Sequence, residues 1–289
     1  MKNRRILHTV GIFIVAFTTV AQSMEPNQIS PKDKKEEIYP WIGDYPESFF
    51  IKARSTKTMG KDHLSVSLNV QHFDWDEVKR ADGEYHDRTS GQQKQRLTAT
   101  ICTKYGWAQN HDIAIGIPYW FNDFDIPQKT NDYEGLTNIF IFEQWNFIKE
   151  TENFPSASVT LWYYFPTGDA DRKLGTDDGA YKITTEVSKA WKYFSLHFNP
   201  GYTWSENDDA EVGEINGALL LRPYPTFWPA VEYNYLNKEE EGRSHDIAPG
   251  FIGRFAKGWS FKIAVPINVE STFTDRDRIG VAMKLFHKW

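Results

Sequence analysis

The sequence predicts an all-β fold, a transmembrane antiparallel β-barrel of about twelve strands. Three observations predict it. Apolar residues alternate with polar or small ones in segment after segment, the connections between these segments are alternately long and short, and the last alternating segment ends on an aromatic residue, Trp289. A period of two residues is typical of strands that present one face to lipid and the other to a polar lumen.

The N-terminal part of the chain predicts two segments that precede the barrel. Basic residues, an apolar run over residues 6–21 and small residues after it predict a secretory signal peptide over 1–23, with an uncleaved anchor as the alternative. Residues 24–63 combine proline and charge without a clear period, which predicts a partly disordered periplasmic arm or a plug. The barrel is then expected over 64–289.

Each predicted strand has an apolar face and a polar or small face. In the first strand, Leu64, Val66, Leu68 and Val70 alternate with serine, asparagine and glutamine. The segments are 64–71, 97–105, 113–119, 136–148, 157–165, 181–188, 194–199, 214–221, 231–235, 247–255, 259–265 and 279–289. The segment 136–148 is apolar on both faces near its start, so the sequence leaves its phase open.

The connections support a barrel rather than a β-sandwich. With a periplasmic N-terminus, every odd-numbered connection would be extracellular. The expected extracellular connections are 74–94, 122–135, 166–180, 204–211, 236–246 and 268–278, and all are rich in polar residues. The even-numbered connections are short, with 149–155 as the exception. Outer-membrane barrels have this asymmetry, whereas a sandwich gives no reason for it.

Composition excludes several classes of function. The net charge is −6, and removal of the three basic signal residues leaves −9, which argues against nucleic acid as a partner. A single cysteine, Cys102, excludes an internal disulfide and a thiolate metal cluster. No metal site and no cofactor are predicted. The aromatic content of 16% fits the two aromatic belts of a membrane barrel.

The alternation places the charged mid-strand residues on the lumen face, where a charge costs less than it does in lipid. These residues are the candidate lining of a solute path. They are Lys104, Lys182, Glu186, His197, Glu214, Glu232, Arg254, Lys262 and Lys284. Trp289 is the expected recognition signal for the barrel-assembly machinery.

A motif then adds a family resemblance. Residues 165–176 read FPTGDADRKLGT, and Ser188-Lys189 and the segment 199–202 (NPGY) follow. Together with IGIPY at 115–119, this pattern resembles a family of outer-membrane transporters named after the meta-pathway of phenol degradation. The resemblance covers about residues 97–204, and Thr137-Asn138 replaces the family's Gly-Asp. It implies a barrel pore and carries over no catalytic residue.

Two other readings of the lumen and one of the loops stay open. Ser195, His197 and Asn199 share one face of a predicted strand and have the residue types of a barrel lipid hydrolase, although neighbours two residues apart on a strand lie about 6–7 Å apart. A plugged surface or structural barrel is the third reading. The acidic loops near 169–178 and 206–209 favour solvated surface over divalent-cation binding.

The sequence therefore predicts a protein of the bacterial outer membrane that lets small solutes pass passively, with aromatic or hydrophobic solutes as candidates. It is not expected to be an enzyme. The expected partners are outer-membrane lipids and lipopolysaccharide, the barrel-assembly machinery and an unidentified small solute.

Overall fold

The structure, a computed structural model, describes residues 46–79, 84–87, 93–126, 129–207, 211–222, 224–238, 241–273 and 275–289. The predicted signal peptide and the arm residues before 46 lie outside this part of the chain. Within the described residues, no helix is long and apolar enough to cross a bilayer.

The fifteen strands of the described chain form one antiparallel sheet. They are β1 (Leu64–Lys79), β2 (Tyr85–Asp87), β3 (Gln93–Ala108), β4 (His111–Ile126), β5 (Lys129–Leu136), β6 (Phe140–Ile148), β7 (Ser156–Tyr164), β8 (Ala180–Ala190), β9 (Phe194–Ser205), β10 (Val212–Leu221), β11 (Phe227–Lys238), β12 (Gly242–Ala256), β13 (Trp259–Ala264), β14 (Ile267–Ser271) and β15 (Asp275–Lys288). The pairs β5/β6 and β13/β14 each form one barrel strand, and β2 only extends the pairing of β1. The result is the predicted barrel of twelve strands.

The first and last strands close the sheet. Leu68 lies opposite Leu285 in the ladder between β1 and β15, and the Trp289 N–H donates to the Leu64 carbonyl at 2.9 Å. Closure pairs the backbone groups that an open edge would expose to hydrocarbon.

Several strands run further than their alternation predicts, and the predicted loops 74–94, 122–135, 236–246 and 268–278 are wrong in extent. β4 continues to Ile126 and β5 begins at Lys129, while β11 ends at Lys238 and β12 begins at Gly242. Beyond the membrane both faces of a strand meet water, so alternation stops although the hydrogen-bonded ladder continues. β3 and β4 have 16 residues each, more than the roughly 9–11 that cross a bilayer.

The predicted segment 136–148 is interrupted rather than continuous. β5 ends at Leu136 and β6 starts at Phe140. In β6 the side chain of Gln144 is buried and faces inward, whereas Trp145 is exposed and faces outward. This settles the phase that the sequence leaves open and directs Phe140 and Phe142 into the lumen.

The outward face has an apolar band between two rows of aromatic rings. On β4, Ile113, Ile115 and Ile117 are 47%, 45% and 42% exposed. At the periplasmic end Trp107, Trp145 and Phe147 are exposed, and at the outer end the rings of Tyr163, Tyr181, Trp204 and Tyr202 follow one another at centroid distances of 4.9, 5.9 and 6.2 Å. An apolar band flanked by aromatic belts is the outer surface of a lipid-spanning barrel.

Residues 47–55 fold back on themselves as a tight hairpin, here called the inner hairpin. The Phe49 N–H donates to the Ala53 carbonyl at 2.8 Å, and the Ser55 N–H donates to the Glu47 carbonyl at 3.1 Å. The chain then crosses the barrel rim beside Gly106, where a Cβ atom would lie 1.9 Å from the Gly60 carbonyl oxygen. Gly106 therefore leaves the space through which the arm joins β1.

Candidate functional site

The inner hairpin lies inside the barrel, because its partners are inward-facing side chains on opposite sides of the lumen. They include Lys104 on β3, Gln144 on β6, Asn199 on β9, Glu232 on β11, Lys262 on β13 and Lys284 on β15. A segment that touches strands all around the barrel occupies its axis.

Glu232 binds the tip of the inner hairpin. Its carboxylate accepts backbone N–H bonds from Phe50 at 2.6 Å, Ile51 at 2.9 Å, Lys52 at 2.6 Å and Ala53 at 2.9 Å. Glu232 is fully buried. Hydrogen bonds to an ionised acceptor are stronger than neutral ones, so four of them satisfy the buried carboxylate and fix the tip against β11.

Two further polar sites hold the chain that follows this tip. Asn199 accepts from the Arg54 N–H at 2.7 Å and donates its amide to the Arg54 carbonyl at 2.9 Å. Nearer the rim, the Asp112 carboxylate accepts from the Met59 N–H at 3.0 and 2.9 Å and pairs with Lys104 at 2.6 Å. The backbone polar groups of the arm are thus satisfied by side chains of the barrel wall.

Apolar packing adds to these polar contacts in the periplasmic half of the lumen. Phe49, Phe50 and Ala53 of the hairpin form one buried cluster with inward-facing residues of the wall. Those wall residues are Ala190, Ala218, Leu220, Trp228, Ala230, Ala248, Ile252 and Ala264. Small side chains on the wall leave room for the two phenylalanine rings, so this half of the lumen is filled.

Two cavities flank the inner hairpin. The outer cavity has a volume of about 550 Å³ and is lined by hairpin residues 48–54 and by strands on several sides of the barrel. The periplasmic cavity has a volume of about 340 Å³, and Glu47, Lys57, Trp228 and Arg254 are among its lining residues. The hairpin lies between the two.

One side of the outer cavity is an aromatic wall, formed by Phe140 and Phe142 on β6 and Trp162 and Tyr164 on β7. The ring centroids of Phe142 and Trp162 are 4.3 Å apart, those of Phe140 and Tyr164 are 5.8 Å apart, and those of Trp162 and Tyr164 are 6.3 Å apart with nearly parallel planes. Side chains that face the lumen are usually polar in such barrels, so a patch of four rings there is unusual.

Cationic groups lie against this wall. The Arg54 guanidinium is 4.3 Å from the ring centroid of Phe142 and 5.1 Å from that of Trp162, and the Lys182 ammonium is 5.5 Å from that of Trp162. Glu214 accepts from Lys52 at 3.3 Å and also pairs with Lys182. Positive charge over aromatic faces is favourable, and more so where water is partly excluded.

All nine charged or histidine residues predicted to line the lumen lie on the inward face, but they do not form one path. Lys182, Glu186, Glu214 and Lys284 line the outer cavity. Arg254 and Lys262 line the periplasmic cavity. Lys104, His197 and Glu232 contact the inner hairpin between the two.

Sequence reasoning missed Lys52 and Arg54 of the hairpin and most of the aromatic wall. Lys52 and Arg54 belong to the predicted arm or plug, a segment with no period, so the sequence gives no direction for either side chain. Trp162 is the one sequence signal for the aromatic wall, because it follows Ser158 and Thr160 on the face of the strand that is predicted to line the lumen.

Ser195 and His197 do form a hydrogen-bonded pair. Ser195 Oγ lies 2.9 Å from His197 Nε2, and His197 Nδ1 lies 2.9 Å from Ser188 Oγ. Both residues are buried, and the ring of Phe49 covers the imidazole at a centroid distance of 4.6 Å. In the described part of the chain, neither residue lines the outer or the periplasmic cavity. The pair lacks the access that a nucleophile and its base need.

The FPTGDADRKLGT motif forms the outer loop that covers the interruption between β5 and β6. The Gly168 N–H donates to Asn138 Oδ1 at 3.1 Å, and the Asn138 amide donates to Thr176 Oγ1 at 2.7 Å. A Cβ atom on Gly168 would lie 2.4 Å from the Leu174 carbonyl oxygen, and Leu174 is buried. The motif thus builds a compact loop at the mouth of the outer cavity, which Asn138 and Thr176 line.

Comparison with known proteins finds similar structures. No model of a known protein family matches the chain, and no curated protein matches it. An outer-membrane channel from Pseudomonas putida F1 superposes with a TM-score of 0.63 at 9% identity, covering 83% of this chain and 100% of that one. The NanC porin gives a TM-score of 0.51 at 9% identity, covering 78% of this chain and 98% of its own. These likenesses establish the fold class, an antiparallel β-barrel of the outer-membrane type.

Proposed function

We propose that the protein is a bacterial outer-membrane channel for the passive passage of small solutes and that the inner hairpin holds it closed. The observation that carries the proposal is the arrangement of the lumen, with a cavity at each end and the hairpin between them. The hairpin is held by hydrogen bonds, ion pairs and packing, so the two cavities can join without breaking a covalent bond.

The wall of the lumen supports passage rather than a purely structural role. Each buried charge has a desolvation cost, so buried charges are weak evidence that the interior serves stability alone. Here Lys104, Glu186, Glu214, Glu232 and Lys262 are all buried inside the barrel. Charged groups in a narrow lumen hold water and help to select which small solutes pass.

Membership of the family named after the meta-pathway of phenol degradation is part of the proposal. Its support is the folded loop over residues 165–179, in which the glycines, the asparagine contact and the buried leucine of the motif each have a packing role. The named channel from Pseudomonas putida F1 shares the barrel architecture. Aromatic and hydrophobic solutes are the proposed cargo, and the aromatic wall of the outer cavity supports that choice.

The remaining partners follow from the surface and the C-terminus. The apolar band between the aromatic belts fits outer-membrane lipid and lipopolysaccharide. Trp289 lies at the periplasmic end of the seam, beside His287 at a ring centroid distance of 4.1 Å. We propose that this terminal strand is the element the barrel-assembly machinery recognises.

Planar-bilayer recording tests the channel proposal. Wild-type protein should conduct weakly, and a variant lacking residues 47–55 should conduct strongly because both cavities then join. Heat-modifiable migration in mild detergent electrophoresis verifies that each protein is folded as a barrel. Two folded proteins that both fail to conduct would refute the channel and favour a plugged structural barrel.

A further inference from the structure

We propose that the outer cavity is a binding site for small aromatic carboxylates. The proposal deepens the channel function, since it names the class of solute that the entrance of the lumen would hold. The ring of the solute would lie on the aromatic wall, and its carboxylate would meet the cations of Lys52, Arg54 and Lys182.

The size of the cavity suits such a molecule. Its volume of about 550 Å³ falls within the range of roughly 300–1,000 Å³ typical of small-molecule sites. A benzoate-sized solute would fill part of this space and leave room for water on the polar side. That polar side is formed by short side chains of β1 and β3, among them Ser67, Asn69 and Thr100.

The aromatic wall provides the surface for a ring. Phe140 and Phe142 have no polar side-chain atom, and Trp162 and Tyr164 stand beside them with nearly parallel planes. Aromatic pairs prefer offset or tilted contacts at centroid distances of about 4.5–7 Å, and the wall already has this geometry within itself. A further ring placed on Trp162 or Tyr164 would continue the same stacking.

The balance of charge favours an anion. The described residues that line the outer cavity include four cations (Lys52, Arg54, Lys182 and Lys284) and two carboxylates (Glu186 and Glu214). The whole chain has a net charge of −6, so the excess of positive charge is local to this cavity. An anionic solute would offset that excess, and the low dielectric of the lumen strengthens the attraction.

Two details identify where the carboxylate would bind. Arg54 Nε is buried and has no hydrogen-bond partner among the described residues. Lys52 and Lys182 share the single carboxylate of Glu214. An ammonium has three donors, so a second carboxylate between these two lysines would use donors that Glu214 leaves available.

Glu186 does not compete for this position. Its carboxylate accepts hydrogen bonds from the hydroxyls of Ser158, Thr160 and Thr184, each at 2.7 Å. The negative charge is therefore held on the barrel wall by neutral donors, and the cations of the cavity remain in excess.

Isothermal titration calorimetry on the detergent-solubilised full chain tests the proposal with three probes. Benzoate has both the ring and the charge, benzyl alcohol has the ring alone, and galacturonate has a carboxylate on a sugar ring. Benzoate should bind at least tenfold more tightly than either of the others. Equal binding of benzoate and benzyl alcohol would overturn the role of the cations. Tighter binding of galacturonate would show that the site takes sugar acids and overturn the aromatic assignment.

Three variants separate recognition from a structural effect. Lys182→Gln should weaken benzoate binding about tenfold and leave benzyl alcohol unchanged. Glu214→Gln should tighten benzoate binding several-fold, because it frees Lys52 and Lys182, whereas a merely structural role for Glu214 predicts a loss. Lys238→Gln is the matched control, since Lys238 pairs with Glu241 at the outer rim and should leave all three affinities unchanged.

The binding proposal and the channel proposal can be refuted independently of each other. Benzoate binding to a folded protein that never conducts would keep the site and refute the channel. Conductance without benzoate binding at millimolar concentration would keep the channel and refute this site. Heat-modifiable migration confirms that each variant is a folded barrel before titration.

Discussion

The periplasmic and outer halves of the lumen have the same wall of alternating strands but different contents. In the periplasmic half the hairpin rings of Phe49 and Phe50 pack against small wall residues and fill the space. In the outer half the wall turns aromatic and cationic around an open cavity. The inner hairpin therefore closes the lumen in its periplasmic half, while the outer half keeps an open cavity.

Two other residues of the inner hairpin, Lys52 and Arg54, take part in both halves of the lumen. Lys52 and Arg54 are fixed through their backbone by Glu232 and Asn199, and their side chains extend to Glu214 and the aromatic wall. The closure of the periplasmic half and the positive charge of the outer cavity therefore both depend on the inner hairpin. A change that releases the hairpin should alter both.

The largest expected effect comes from Glu232→Ala. It removes a carboxylate that accepts four backbone N–H bonds, and each hydrogen bond to a charged group contributes about 1.5–3 kcal/mol. Loss of even one such contribution shifts the equilibrium between the closed and open states roughly tenfold toward the open state. Conductance in planar bilayers should therefore rise by at least that factor.

Glu186→Ala is the matched control for this change. It also removes a fully buried inward carboxylate, but the hydroxyls that Glu186 accepts from belong to barrel strands. It should destabilise the barrel without opening the channel. Equal conductance of the two variants would contradict the role of Glu232 in holding the inner hairpin closed.

A second test uses adjacent residues of β10 that face opposite sides. Leu219 is exposed to lipid, so Leu219→Arg should lower the free energy of unfolding by about 2–4 kcal/mol. Ala218 packs in the hairpin cluster, so Ala218→Arg should leave the barrel folded and displace the hairpin. Urea unfolding in detergent measures the first effect, and conductance measures the second. Similar loss of barrel stability in both variants would show that the phase of β10 is misassigned.

The smallest expected effect is that of Ser195→Ala. Ser195 is buried, and its hydroxyl is hydrogen-bonded to His197 within the wall. The change should cost about 0.5–1.5 kcal/mol of stability and leave conductance near the wild-type value. An ester-hydrolysing activity that disappears in this variant would instead establish the pair as an enzyme site.

The sequence predicted the barrel because lipid imposes a strict rule on each strand. Residues such as Ile113, Ile115 and Ile117 have to be apolar, and the intervening ones face the lumen, so alternation is visible locally. The same rule ends at the membrane surface. The paired extensions after Phe121 and before Leu136 are rich in polar residues and do not continue the phase of the strands, so the sequence predicts a loop there.

The candidate site was less predictable because it depends on contacts between distant parts of the chain. Lys52 meets Glu232 across 180 positions in sequence, and nothing near residue 52 signals this contact. The inward direction of Phe140 and Phe142 is likewise fixed only by the interruption that precedes β6. By contrast, Glu214 and Lys182 were identified because a charge within an alternating strand has to face the lumen.

In the proposed channel, the short connection between the inner hairpin and β1 would make the hairpin a tethered inhibitor. Residues 56–63 join the two, and Met59 is held at the rim by Asp112 and Lys288. A segment linked so closely to its site has an effective concentration of about millimolar. Reclosing is then independent of protein concentration, and a free peptide with the sequence of residues 47–55 would need millimolar concentrations to compete. Openings of the intact protein should therefore be brief events in a bilayer record rather than long-lived open states.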